Sequence, residues 1–343
     1  MKKLEKFQKG VNLGGWLSQG SLEKEHLDSF IHEEDIAKIA SWGADHVRLP
    51  VDFENIETDD GKEKPEGYAY IDNCIEWCKK YGLNLVLDLH KTCGYIFDDK
   101  NYSADFFDSE PLQDRFVALW KRLAARYAKF SDMMMFEMLN EVVRFDVAEK
   151  WNQIALRCMR AIREYAPTVK ILYGGVCYNA VSTVKLLAEP IDENIVYNFH
   201  CYEPLLFTHQ TAWWVDQMPK DFHINYPASL EEYLEESRKI AGTMVGAFSD
   251  KNLNITKLGK EFFEEMFREA IEVAEKRNVP LYCGEYGVID QAPTDGTLKW
   301  FEDIHAVFEQ HGIGRAVWSY KKMDFGWIDE HYSPILDRLI KLL

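Results

Sequence analysis

Two glutamates carry the first chemical signal. Glu141, in "MLNE", and Glu285, in "YCGEYG", each stand at the end of a run that is otherwise apolar. A carboxylate in such a place is costly to desolvate unless it is used. Two carboxyls facing one another across a cleft are the equipment for breaking a glycosidic bond. One, kept protonated by apolar surroundings, donates to the leaving oxygen, while the other, held ionised by nearby donors, attacks the anomeric carbon. Arg48, in "HVRLP", is the obvious group to keep a carboxylate ionised. Further polar or aromatic residues stand at or just past the ends of comparable runs: His90, Asn140, His200, Tyr202 and Trp318.

The runs themselves explain why such residues should converge. Eight short β-branched or apolar stretches recur along the chain: "GVNLG" at 10–14, "DHVRLP" at 45–50, "LNLVLDLH" at 83–90, "MMMFEMLNE" at 133–141, "VKILYGG" at 169–175, "NIVYNFH" at 194–200, "PLYCGEYG" at 280–287 and "GRAVWSY" at 314–320. Longer amphipathic stretches separate them, as in "AEKWNQIALRCMRAI", where Trp151, Ile154, Ala155, Cys158 and Ile162 repeat at helical spacing. Strands alternating with crossover helices, eight of them and with no glycine-rich dinucleotide fingerprint after any, predict an α/β fold that closes as a (β/α)8 TIM barrel. In that fold the C-terminal ends of the strands face the active site, so the strand-end residues fall together. Asp88 and Glu137 have inward parity but lie deeper, and are expected to anchor Arg48 or a histidine.

The chain of 343 residues suits one such barrel spanning 1–343. One interval breaks the rhythm. Between the sixth and seventh strands, "KEFFEEMFREAIEVAEKR" suffices as the crossover helix, leaving about 204–256 as an inserted subdomain between strand six and helix six. It contains "TAWWVDQMPKDFHINYP", and an insertion of that size is a candidate substrate-binding rim.

Composition narrows the partners. A net charge of -17 argues against nucleic acid and anionic membranes, which require a cationic face, and leaves a neutral substrate unopposed. No membrane span is read from the hydropathy pattern. The seven cysteines are scattered through apolar contexts and are expected to be reduced core residues. His26, His32, Glu33 and Glu34 invite a metal reading, but charged surroundings mark a solvated helix start; no metal and no cofactor is expected. "MKKLEKFQKG" has no apolar stretch behind its lysines and reads as no signal peptide, so cytoplasmic residence and secretion with a removed leader stay open. A monomer is expected.

Taken together, "LNE", "GEYG", "HVRLP", "LDLH", "YNFHCY" and "AVWSY", in that family's order over nearly the whole chain, resemble glycoside hydrolase family five. "FTHQTAWW", "LYCGEYGVI" and "YKKMDF" are most similar to its clostridial endoglucanase C type, which also has an insertion after strand six. The resemblance implies a retaining β-glucanase acting on β-1,4 bonds of cellulose-like or mixed-linkage β-1,3-1,4-glucan, with Glu141 as acid/base and Glu285 as nucleophile. It further implies that Arg48 and Tyr202 contact the nucleophile and that Asn140 binds the sugar 2-hydroxyl. His90 and His200 would line the cleaved subsite, and Trp318 would form its stacking floor. Lys91 departs from the pattern, standing where related cellulases often have a second histidine. "GVNLGGWL" resembles the start of exo-acting β-1,3-glucanases, so an exo-β-1,3-glucosidase or a β-mannanase is the alternative. A non-catalytic carbohydrate-binding barrel is the alternative of another class. Trp213, Trp214, Tyr95, Phe97 and Trp327 leave strand ends and are candidate sugar-stacking aromatics; Trp16 is placed near the active-site floor or in the core.

Overall fold

The computed structural model of the chain describes residues 1–98, 106–216, 218–243 and 255–343. Eight parallel strands close on themselves in sequence order, β1 (Lys9–Asn12), β2 (His46–Asp52), β3 (Asn84–Lys91), β4 (Met134–Glu137), β5 (Lys170–Gly174), β6 (Ile195–Cys201), β7 (Leu281–Tyr286) and β8 (Gly314–Val317). All eight fall inside or against the predicted runs. β4 is the shortest relative to expectation, because its chain leaves the ladder after Glu137 and carries Met138 to Glu141 onward without strand pairing.

Amphipathic helices return the chain between strands: α1 (Glu33–Ser41), α2 (Pro65–Tyr81), α3 (Glu110–Tyr127), α4 (Ala148–Arg163), α5 (Leu230–Lys239), α6 (Lys260–Arg277) and α7 (Thr294–His311). One connection departs from the expected repeat. β5 is followed by a 3-10 segment, Val181–Leu186, in place of an α-helix. Valines and a threonine crowd that stretch, and branched side chains lose rotamer freedom against a helical turn. The 3-10 segment packs against α6.

The barrel interior is layered. Leu4, Phe7, Val86, Met135, Leu172, Val196, Tyr282 and Ala316 form a separate apolar cluster filling its N-terminal end. Above it lie buried polar groups, Asn12, Arg48, Asp88, Glu137 and Asn198, and above those His90, Asn140, Glu141, His200 and Glu285. The larger apolar core fills the space between strands and helices. Strand pairing slips at three places: between Val51 and Asp52 opposite β3, between Phe199 and His200 opposite β7, and between Cys283 and Tyr286 opposite β8. All lie at the polar end, and such irregularities re-aim side chains.

The segment between β6 and α6 holds a short helical turn, Leu205–Thr208, then α5, and an antiparallel bridge between Ser229 and Lys257 closes it near its base. Tyr226 ties it to α7 through a 2.9 Å hydrogen bond to Asp303. Residues 217 and 244–254 of the predicted insertion lie outside the described residues.

Because the apolar plug sits opposite the polar end, Phe7→Ala should cost about 3–5 kcal/mol and lower the melting temperature by several degrees. The kcat/KM of the folded enzyme should stay within about two-fold. Calorimetry beside kinetics on the same preparation checks this, and a large kinetic loss would show that the two layers are not separable.

Candidate active site

Arg48 is wholly buried at the centre of the polar layer, and all five of its N–H groups have acceptors. Nε donates to Glu137 Oε2 at 2.7 Å, and Nη2 donates to Glu137 Oε1 and to Asn140 Oδ1, both at 2.9 Å. Nη1 donates to Glu285 Oε1 at 2.8 Å and to Asn12 Oδ1 at 3.0 Å. Asp88 Oδ2 lies 3.0 Å from Nη2 and 2.6 Å from His90 Nδ1. The deeper carboxylates therefore anchor Arg48, and Asp88 also anchors a histidine. Burial pushes the Asp88 and Glu137 carboxyls up, opposed in each by the charge of Arg48.

Glu285 receives a second donor from Tyr202, whose hydroxyl lies 2.9 Å from Oε2. Burial, together with the charges of Glu285 and Glu141, holds the Tyr202 phenol well above its usual range, so it stays a donor. Backbone geometry sets Glu285 in place. Gly284 N–H donates to Asn198 Oδ1 at 3.0 Å and its carbonyl accepts from Asn12 Nδ2 at 2.9 Å. A Cβ at Gly284 would stand 2.9 Å from both Asn198 Oδ1 and His200 Nε2, so any larger residue would displace one of these two side chains.

Glu141 stands in different surroundings. Its Oε1 lies 2.8 Å from His200 Nδ1, and burial first, then the charge of Glu285, pushes its pKa well above the usual carboxyl range. His200 is held well below the imidazole range by burial and by the positive charge of Arg48, and is therefore neutral at pH 7. Asn179 Nδ2 lies 3.4 Å from His200 Nε2, which fits an acceptor at Nε2 and a donor at Nδ1. Tyr95 clamps the backbone around Glu141: its hydroxyl donates to the Glu141 carbonyl at 2.7 Å and accepts from Val143 N–H at 2.8 Å. An oxygen of Glu141, a nitrogen of His200 and an oxygen of Glu285 all lie within 4.8 Å of one another.

His90 and Trp318 form one wall of the site, their rings parallel within 7° at 6.0 Å, and Phe97 meets His90 edge-on. Trp318 is fitted against Gly14, where a Cβ would stand 2.7 Å from the indole. Trp16 takes the core alternative: it is buried, donates to the Leu27 carbonyl at 2.8 Å and stacks on Trp77. Lys91 lies 3.5 Å from each of Asp52 and Asp98. Of the proposed stacking aromatics, Tyr95 and Trp327 are buried in packing, Tyr95 against Phe106 and Phe107 and Trp327 against Trp42 and Phe301. Asn12, Asn179 and Asn198 also belong to the site, at positions that strand-end location alone does not mark. Asn198 shares the parity of His200 within β6, which was the available signal.

Among the described residues, Glu141, His200 and Glu285 are the one set of three donor side chains close enough to share a metal ion. Their polar atoms are already engaged with one another, with Arg48 and with Tyr202. The cluster of His26, His32, Glu33 and Glu34 does not converge. His26 reaches the Gly15 carbonyl at 2.8 Å, His32 N–H donates to Asp35, and Glu33 pairs with Lys80 and Tyr81.

Residues 8–324 match the family profile described as cellulase, glycosyl hydrolase family 5. The chain is 44% identical to endoglucanase C of Acetivibrio thermocellus over 98% of both chains. It is 45% identical to cellodextrinase A of Ruminococcus flavefaciens, over 90% of this chain and 83% of that one. In fold it is similar to endoglucanase Cel5A of Thermotoga maritima, with a TM-score of 0.76 and 23% identity, over 97% of this chain and 96% of that one.

The negative charge of Glu285 is one of the two leading causes of the raised Glu141 pKa. Glu285→Gln removes that charge, and a lost like charge lowers the pKa of an acid. Glu141 should therefore titrate at lower pH in the variant than in the native protein, as read by 13C NMR of the labelled carboxyl. An unchanged midpoint would mean that burial alone sets it.

Proposed function

The chain belongs to the cellulase family, glycosyl hydrolase family 5, and we propose from that premise that Glu285 and Glu141 are the nucleophile and the acid/base of its double displacement. The protein is a retaining glycoside hydrolase that cleaves β-glucan. The single observation that carries the double displacement is the spacing of the two carboxyls, with an oxygen of each within 4.8 Å of the other, close to the roughly 5 Å of retaining enzymes and short of the gap that an inverting enzyme leaves for water.

In the first step Glu285, aligned by Arg48 and Tyr202, attacks the anomeric carbon. The glycosidic C–O bond breaks, and Glu141 gives its proton to the departing oxygen. In the second step Glu141, now ionised, takes a proton from water, whose oxygen attacks the same carbon from the opposite face and releases the Glu285 carboxylate. Asn140, which Arg48 orients, hydrogen-bonds the sugar 2-hydroxyl on this reading, with His90 and His200 lining the subsite and the Trp318 indole as its floor. All of these groups come from one chain, so a monomer suffices.

For the substrate we infer linear glucan joined by β-1,4 bonds, alone or mixed with β-1,3. Uncharged sugar suits a site whose carboxylates outnumber its cations, and the two relatives named above bear names that refer to glucan or cellodextrin cleavage. The opening motif that pointed to exo-β-1,3-glucanases is accounted for by packing, since Gly14 makes room for Trp318 and Trp16 is core.

Glu141→Gln should lower kcat on barley β-glucan by about 10²–10⁴, yet leave a burst of phenol from an aryl cellobioside whose leaving group needs no proton. Wild-type turnover of glucan by the variant would remove Glu141 from the role. Time-resolved products on barley β-glucan, carboxymethyl cellulose, laminarin and mannan test the substrate. Mixed oligosaccharides from the first two are expected early, whereas release of a single small sugar from laminarin, or a preference for mannan, would overturn the reading.

A further inference from the structure

Trp213 is anomalous for so large an apolar side chain, being 80% exposed. It is nevertheless held in place. Its indole N–H donates to Asp324 Oδ2 at 3.2 Å, and its ring stands edge-on to Trp214 at 5.6 Å and 85°. Trp214 does the packing, against Phe325 at 6.2 Å and His209 at 5.9 Å. Phe325 in turn meets Tyr202 at 5.7 Å, and Tyr202 donates to Glu285. A continuous file of rings thus runs from the reacting carboxylate out to an indole in solvent.

The two halves of this outer platform come from different elements. Trp213 belongs to the segment after β6, and Asp324 to a turn after β8 in which Lys322, Met323 and Asp324 all take left-handed backbone angles, with φ of 58°, 59° and 61°. The turn is fixed at its end, where the Asp324 carbonyl accepts from Asp290 N–H at 2.8 Å. These segments flank β7, which carries Glu285, and the β8 side also supplies Trp318.

An immobilised indole with a carboxylate at its edge suits a pyranose, whose C–H face is apolar and whose rim is a ring of hydroxyl donors. We propose that Trp213 and Asp324 form an outlying sugar subsite, in which a β-linked glucosyl unit beyond the cleaved one stacks on the indole and donates a hydroxyl hydrogen bond to the carboxylate. An anionic ligand is opposed by Asp324 itself and by the net charge of -17. The assignment rests on the glucan-hydrolase reading above and adds to it a length dependence built by the inserted segment.

The test compares kcat/KM on cellohexaose and on p-nitrophenyl cellobioside, which offers two glucosyl units in place of six, for the native enzyme, Trp213→Ala and Trp213→Phe. Trp213→Ala should lose about five- to ten-fold on the hexaose, mostly in KM, and at least three-fold less than that on the short substrate. Trp213→Phe should recover most of the loss. An equal loss on both substrates, or none on the hexaose, overturns the subsite while native activity on glucan leaves the function standing. A native enzyme inert on both substrates overturns the function and the subsite together.

Discussion

One guanidinium organises the catalytic end of this barrel. Arg48 spends its five N–H groups on Glu137, Asn12, Asn140 and Glu285, and a sixth contact reaches Asp88. A buried arginine is costly unless its charge is met, and removal of a partner of Arg48 leaves an uncompensated polar group in a dry interior. The converse constraint matters more for function. Three carboxylates compete for one cation, and burial favours protonation of the two deepest. Glu285 takes one of the five N–H groups at Oε1 and the Tyr202 hydroxyl at Oε2, so each of its two oxygens has its own donor.

The fold separates this electrostatic problem from the problem of staying folded. Apolar contacts fill the N-terminal end of the barrel and the strand–helix interface, while the polar end carries the slips in strand pairing. Each slip lies beside a residue the site uses: His90 is skipped opposite Asp52, and Gly284 opposite the Phe199–His200 step. A regular ladder would alternate side chains strictly in and out. The irregular one lets β7 turn Glu285 toward the cleft while Gly284 threads between Asn198 and His200.

Strand periodicity made the barrel and its principal acids legible from the residues alone, because an apolar run with a charged end has few explanations in a buried parallel sheet. Parity within a run placed Asp88 below His90, and inward parity likewise placed Glu137 among the anchors. Roles that depend on the stagger between strands were not legible in this way. Asn12 and Asn198 matter because of what stands opposite them, and no single run encodes that. Tyr95 follows a strand end as a stacking ring would, yet its hydroxyl turns onto the backbone around Glu141. Trp213, read in the same way, points into solvent. The sequence offers an aromatic residue after a strand end in both settings, and only the path of the loop distinguishes them.

The two glutamates are chemically identical, so their division of labour must come from their neighbours. Glu285 accepts from a cation and a phenol; Glu141 meets a neutral imidazole and feels the charge of Glu285. On the proposed mechanism this asymmetry is self-timing. While Glu285 is an anion, its charge keeps the proton on Glu141, which is what departure of the leaving group requires. Once Glu285 is bound to the sugar that charge is gone, one cause of the raised pKa disappears, and Glu141 is free to act as the base that the second step needs. Burial alone could hold an acid protonated, but it would not release the proton at the right moment. Coupling between two carboxyls at this separation does both, which is a physical reason for the short spacing beyond the reach of the nucleophile.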